Sequence, residues 1–143
     1  MKLLDTNVVV ARFREDHRDH RVVRTWWGEF VKSGERFTVP DVVWSGFVRI
    51  VTNRRAFAEP SEVAGAFEFV RAVTRHSSYR RVTPGANHLS IFEELCVGQE
   101  AAGNIVNDAA LAAIAIEHGC DVVSLDRDFA RFEGVRWILP RPA

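Results

Sequence analysis

Four aspartates carry most of the chemistry that this sequence offers: Asp5, Asp108, Asp126 and Asp128. Asp5 interrupts the apolar run MKLLDTNVVV, and Asp126 and Asp128 close the stretch DVVSLDRDF, just after a run of strand character. Asp108 opens the apolar segment AALAAIAI. A charge placed directly after a buried strand is costly unless something pairs with it. Hard carboxylate oxygens suit Mg²⁺ or Mn²⁺, which take a few such ligands and keep several waters. A metal held by these acids would activate water and stabilise charge on a phosphate undergoing displacement. Asn7 and Ser124 flank the two strand ends, where they can orient ligands without being ligands themselves.

Two of these acids also suit ordinary structural roles. Asp108 reads as a first-turn helix residue, where a carboxylate gains from the macrodipole. Asp128 can cap a short helix beginning near Phe129. The five histidines form no competing site. His17 and His20 miss the i, i+4 spacing of a helical zinc pair, and His118 suits the end of a helix. Spacing alone leaves both the shared metal site and the structural readings open.

The elements that must position these acids alternate. Strands are expected at residues 2–5, 37–39, 79–82, 122–125 and 135–139. Helices are expected from Asp5 to about Arg14, Asp19 to Lys32, Asp41 to Thr52, after Glu59-Pro60-Ser61, after Thr83-Pro84-Gly85, and over 108–118. Apolar stripes point Val43, Phe47, Ile50 and Val51 inward on the third helix, and Val63, Phe67, Val70 and Val73 on the fourth. Leu89, Phe92, Leu95 and Cys96 mark the fifth, and Trp26, Trp27 and Trp44 read as core anchors. Strands separated by helices predict an α/β fold, with a mostly parallel central sheet of four to five strands and helices on both faces. Right-handed crossovers then bring Asp5 and Asp126 to one sheet edge.

At 143 residues the chain suits a single domain spanning 1–143. Its formal net charge is zero, which disfavours bulk electrostatic binding. The charge is unevenly spread, however. Residues 93–133 hold nine acids against Arg127 and Arg131, whereas Arg49, Arg54 and Arg55 form one basic group and Arg71, Arg75, Arg80 and Arg81 another. An acidic region set against basic ones suits a metal pocket flanked by phosphate-gripping arginines, and also the solvated faces of ordinary helices. Cys96 and Cys120 lack metal-ligand spacing and read as buried thiols. With no apolar leader and no long apolar run, a cytoplasmic protein without a membrane span is expected.

Taken together, LLDTNVVVARF at 3–13, GFVRIVTNRRAF at 46–57, GNIVNDAALAAIAIEHG at 103–119 and VVSLDRDFARFEGVRW at 122–137 resemble a PIN domain. More narrowly, the chain is similar to VapC toxins of VapBC toxin–antitoxin pairs, in the right order over essentially its whole length. The resemblance implies a PIN-like three-layer fold and a metal-dependent endoribonuclease that hydrolyses RNA phosphodiester bonds. It implies Asp5, Asp108 and Asp126 as ligands of Mg²⁺ or Mn²⁺, with Asp128 as an accessory catalytic acid. It also implies a homodimer and a VapB-like antitoxin that blocks the pocket. Arg49, Arg54 and Arg55 are candidate RNA contacts. One departure stands out: Trp44, Ser45 and Gly46 occupy the window where the family often has a Glu, and Asp41 is the nearest acid. That gap motivates the alternative of a degenerate PIN scaffold that binds RNA or a protein partner without cleavage.

Overall fold

A computed structural model describes residues 1–143. Four short strands form one parallel sheet: β1 (Lys2–Leu4), β2 (Phe37–Thr38), β3 (Asp121–Val123) and β4 (Trp137–Ile138), in the order β2-β1-β3-β4. The chain leaves β1 to one side for β2 and returns to the other side for β3. That reversal opens a crevice at the carboxyl ends of the two central strands, the place where open α/β sheets bind ligands. Leu3 and Leu4 pair with Val122 and Val123, and all four side chains are fully buried. This explains why both strands are continuous apolar runs rather than alternating ones.

Six helices surround the sheet: α1 (Thr6–Phe13), α2 (His20–Lys32), α3 (Asp41–Val51), α4 (Val63–Thr74), α5 (His88–Gln99) and α6 (Asn104–His118). α1 packs on α2 and α3, α3 on α4, and α5 along α6, which also meets β3. α6 buries Ala109 and every residue from Leu111 to Ala115, and its small side chains admit close neighbours. It stops at Gly119, whose φ of 66° is cheap only without a Cβ. No helix is long and apolar enough to cross a membrane.

The sequence expectations hold for the α/β class and the parallel sheet, with corrections in detail. Tyr79–Val82 is not a strand. Tyr79 makes one isolated parallel bridge to Phe37 beyond β2, and the chain then turns away toward α5. On α4 the expected stripe holds at Val73 and Val70 but not in the first turns. Val63 and Phe67 are 56% and 44% exposed, while Ala66 and Val73 are buried and Phe69 packs on Phe13, Trp44 and Phe47. Two apolar stripes run along that helix, and the aromatic cluster selects the one containing Phe69. Ser61 does not cap α4, which starts later; its hydroxyl accepts from Arg14 Nη1 at 2.9 Å. Leu89 likewise faces outward on α5, at 73% exposure. Of the two thiols, Cys120 is buried and Cys96 only partly so. The tryptophans do serve the core: Trp26 and Trp44 are buried, and Trp27 packs edge-on against Phe37.

Candidate metal centre and RNA groove

The register of the central strands builds the site. Leu4 pairs with Val123, so the next residues, Asp5 and Ser124, emerge side by side at the carboxyl edge. The Asp5 amide donates to Val123 O at 3.0 Å, extending the ladder by one bond. There the chain turns into α1, with Asp5 as its N-cap: Oδ1 accepts from the Thr6 amide at 2.7 Å. The other carboxylate oxygen, Oδ2, accepts from the Ser124 hydroxyl at 2.7 Å.

Ser124 is the hub beneath the acids. Its side chain is fully buried, and its Oγ accepts from the Asp126 amide at 2.9 Å and from Asn7 Nδ2 at 3.1 Å. Asn7 Oδ1 in turn accepts from the Leu125 amide at 3.0 Å. From the other side, Trp137 Nε1 donates to Ser124 O at 2.9 Å. The polar groups at this buried corner are thus satisfied by one another, and Asp5 is tied to the loop carrying Asp126.

Asp126 caps the 3₁₀ turn at Arg127–Arg131, accepting from the Asp128 amide at 2.9 Å. The expected cap, Asp128, lies within that turn instead, with Oδ1 3.5 Å from Arg131 Nη2. Asp108 was expected in a first helical turn. α6 begins at Asn104, which puts Asp108 in the second turn and weakens the macrodipole's hold on it. Its side chain instead reaches the loop acids: one carboxylate oxygen each from Asp108, Asp126 and Asp128 lie within 4.8 Å of one another. Asp5 stands outside that threesome, across the same cavity from Asp108 and Asp126.

Electrostatics reflect this crowding. Burial, then the charges of Asp5, Asp126 and Asp128, push the Asp108 carboxyl up to about 7, against the opposing pull of Arg131. Burial also raises Asp5, helped by Asp126, while the Ser124 and Thr6 hydrogen bonds partly offset the rise. Like charges gathered in a half-buried pocket favour either a proton or a cation. The donor set is all carboxylate oxygen, which fits Mg²⁺ or Mn²⁺ and disfavours a soft metal.

Asp5, Asp108 and Asp126 line a groove of about 1110 Å³. Arg49 lies on its wall, whereas Arg54 and Arg55 sit exposed on the turn beyond α3, outside the lining. Asp41 does not replace the missing acid. It opens α3 and pairs with Arg81 at 2.6 Å, away from the groove. Ser45 and Gly46 line that wall, and Gly46 lies against Thr6: a Cβ there would approach Thr6 Oγ1 to 3.3 Å.

Sequence reasoning missed the opposite rim. The segment EDHRDH reads as a polar break, yet Asp16, His17 and Arg18 line the groove. Arg14 fixes that rim: it makes two hydrogen bonds to Asp16 (2.9 and 2.7 Å), one to Ser61, and stacks 4.2 Å over the Phe57 ring. Phe57 lines the groove as well. The only early signal was the density of charged and imidazole side chains in so short a link.

The chain matches the PIN domain family model over residues 2–135. It is 50% identical to Ribonuclease VapC31 of Mycobacterium tuberculosis over 140 residues, covering 98% of this chain and 99% of the relative. It is 49% identical to Ribonuclease VapC25 of the same organism, with the same coverage. Among solved structures it superposes on VapBC2 from Rickettsia felis with a TM-score of 0.71 at 16% identity, covering 96% of each chain.

Proposed function

The chain belongs to the PIN-domain family, and from that premise we propose that it is a Mg²⁺- or Mn²⁺-dependent endoribonuclease, the toxin of a VapBC-type toxin–antitoxin pair. The observation that carries the reading is the convergence of Asp108, Asp126 and Asp128 within 4.8 Å, with Asp108, Asp126 and Asp5 lining one groove of about 1110 Å³. Full-length likeness to ribonucleases supports it independently.

Asp5, Asp108 and Asp126 would hold the cation, and Asp128 completes the acidic wall. When bound, the cation supplies Lewis acidity at the scissile phosphate. The chain's own residues do the rest. Ser124 and Asn7 fix the Asp5 carboxylate and the 125–126 backbone, so the acids need little rearrangement on loading. Arg49 offers positive charge to a phosphate lying along the groove, and Arg54 and Arg55 reach RNA that continues past the turn. The functional unit is one domain over 1–143, acting in the cytoplasm as a homodimer until a VapB-like antitoxin covers the groove.

The decisive experiment is RNA cleavage in Mg²⁺ or Mn²⁺ by the wild type, Asp5→Asn and Asp108→Asn. Cleavage should require the cation and disappear in both variants. Equal cleavage by wild type and Asp5→Asn would sink the assignment.

Trp44, Ser45 and Gly46, standing across the window where the family often has an acid, favour a second reading: a scaffold that binds RNA or a protein without cutting. Calorimetric titration with Mn²⁺ separates the two, because a scaffold of that kind should take up the cation weakly or not at all.

A further inference from the structure

The acidic groove poses a problem for a polyanionic substrate. Asp5, Asp16, Asp108 and Asp126 line it and Asp128 borders it, whereas the cations lining its wall are Arg18 and Arg49, and Arg18 is paired with Asp19 at 3.3 Å. Affinity for RNA must draw on positive charge elsewhere. A second concavity lies on the outer face of α2, lined by His20, Arg21, Arg24, Thr25, Gly28, Glu29 and Lys32. No hydrophobic residue lines it. Positions 21, 24, 28 and 32 recur on one helical face and span about 16 Å at 1.5 Å per residue. Gly28 keeps the middle of that face open, since nothing lies within 4 Å of where its Cβ would be.

Three features mark this face as more than solvated surface. Arg21, Arg24 and Lys32 make no ion pair, and the one acid among them, Glu29, accepts from the Ala143 amide at 3.4 Å. Beside Arg24 lies Arg12, whose half-buried guanidinium is disfavoured by burial and by Arg24, and whose buried Nε has no hydrogen-bond partner. Clustered like charges of this kind are tolerated best when a polyanion neutralises them. Finally, the face begins close to the groove along the chain: His17 and Arg18 line the groove, and His20 and Arg21 line the second concavity, two residues further on.

We propose that Arg21, Arg24 and Lys32, with Arg12 behind them, form a track that binds the phosphate backbone of RNA running out of the groove along α2. The track supplies sequence-independent affinity for long RNA and takes no part in the chemistry. It rests on the ribonuclease reading for its occupant, but its binding can be tested without turnover.

The test uses the full chain and a triple variant, Arg21→Gln/Arg24→Gln/Lys32→Gln. Fluorescence anisotropy with labelled oligo(U) of 30 and of 5 nucleotides is followed in EDTA from 50 to 300 mM KCl. Wild type should bind the 30-mer more tightly, and the variant should lose about tenfold or more of that affinity at 50 mM. Its slope of log K against log salt should flatten by about 2, at roughly 0.7 per phosphate contact for single strands. Binding of the 5-mer and calorimetric Mn²⁺ uptake should be unchanged, which shows that the variant is folded with its groove intact. Equal 30-mer affinity in the two proteins overturns the track, even if wild type cleaves RNA in Mn²⁺. Loss of 30-mer binding in the variant upholds it, even if wild type cleaves nothing and the ribonuclease reading falls. Poly-L-glutamate displacing the 30-mer as effectively as unlabelled poly(U) would also overturn it, marking the face as a site for an acidic protein segment.

Discussion

Asp108 shows how one side chain can work against its own fold. Its folded-state carboxyl is raised from the ordinary carboxylate range to about 7, so the charged form is worse off in the folded protein than in the unfolded chain. Stability of the metal-free protein therefore falls as pH rises from the unfolded carboxylate value through about 7, and is flat above it. Asp108→Asn should remove that dependence and stabilise the metal-free protein at pH 8. Each tenfold in proton affinity is worth about 1.4 kcal/mol. Solvent screening of a half-exposed side chain leaves an expected gain of roughly 1–2 kcal/mol, measurable by urea denaturation in EDTA. A loss of stability would mean that the acids do not repel one another. Proton and cation compete for the same oxygen, so Mn²⁺ affinity should climb between pH 5.5 and 7.5, and Asp108→Asn should bind weakly throughout. Ser124 gives a complementary prediction. Ser124→Ala leaves the Asp126 amide without its partner and frees Asp5, at a cost of about 1–3 kcal/mol. Misoriented ligands should also weaken Mn²⁺ binding by about 10–100-fold in calorimetry, whereas a variant that loses stability but keeps its affinity would confine Ser124 to a packing role.

Among the elements, the crossing of α1 and α3 at Thr6 and Gly46 decides what the groove wall can carry. Glycine inside a helix costs roughly 0.5–1 kcal/mol relative to alanine, yet a Cβ at Gly46 would press on Thr6 Oγ1 at 3.3 Å and Cγ2 at 3.4 Å. In the wild-type background, Gly46→Ala should therefore be neutral or destabilising. With Thr6→Ala already in place, the same substitution should stabilise by about 0.5–1 kcal/mol. Chemical denaturation of the four proteins closes the cycle, and identical effects in the two backgrounds would show that Thr6 is not the obstacle. The same contact means that any side chain at Gly46 needs Thr6 to give way by a few tenths of an ångström. Asp41, one and a half turns earlier, is drawn to Arg81.

For the molecule as a whole, the sheet order and the apolar surface matter most. Val63 and Phe67 on α4 and Leu89 and Val97 on α5 leave large hydrophobic side chains in water. The proposed homodimer and antitoxin would cover such surface, and sedimentation should report twice the 16.2 kDa chain mass. A monomer at tens of micromolar would count against the dimer.

How much of this could be read without the fold differs from residue to residue. The strand ends at Asp5 and Asp126 were legible, because an acid that breaks a continuous apolar run in an α/β chain marks the point where a buried strand reaches the sheet edge. The α2 and α3 helices and the buried tryptophans followed from apolar periodicity. On α4 only the second half followed: Val73 is buried and Val70 packs on the core as expected, whereas Val63 and Phe67 give way to Ala66 and Phe69, a choice made by the aromatic cluster of Phe13, Trp44 and Phe47. Tyr79–Val82 has strand composition but no second neighbour to pair with.

The sequence by itself determined the acids, the alternation of strands and helices, and the family whose pattern they follow, because these depend on side-chain type and local spacing. Tertiary structure decided how the acids are arranged within the pocket, with Asp108, Asp126 and Asp128 clustered and Asp5 outside that threesome. The register of β1 against β3 sets Asp5 beside Ser124, the early start of α6 carries Asp108 to the loop acids, and the Arg14 clamp turns a polar link into the far rim. These are contacts between segments far apart in the chain, or between loops with no periodicity, and local sequence holds no measure of them.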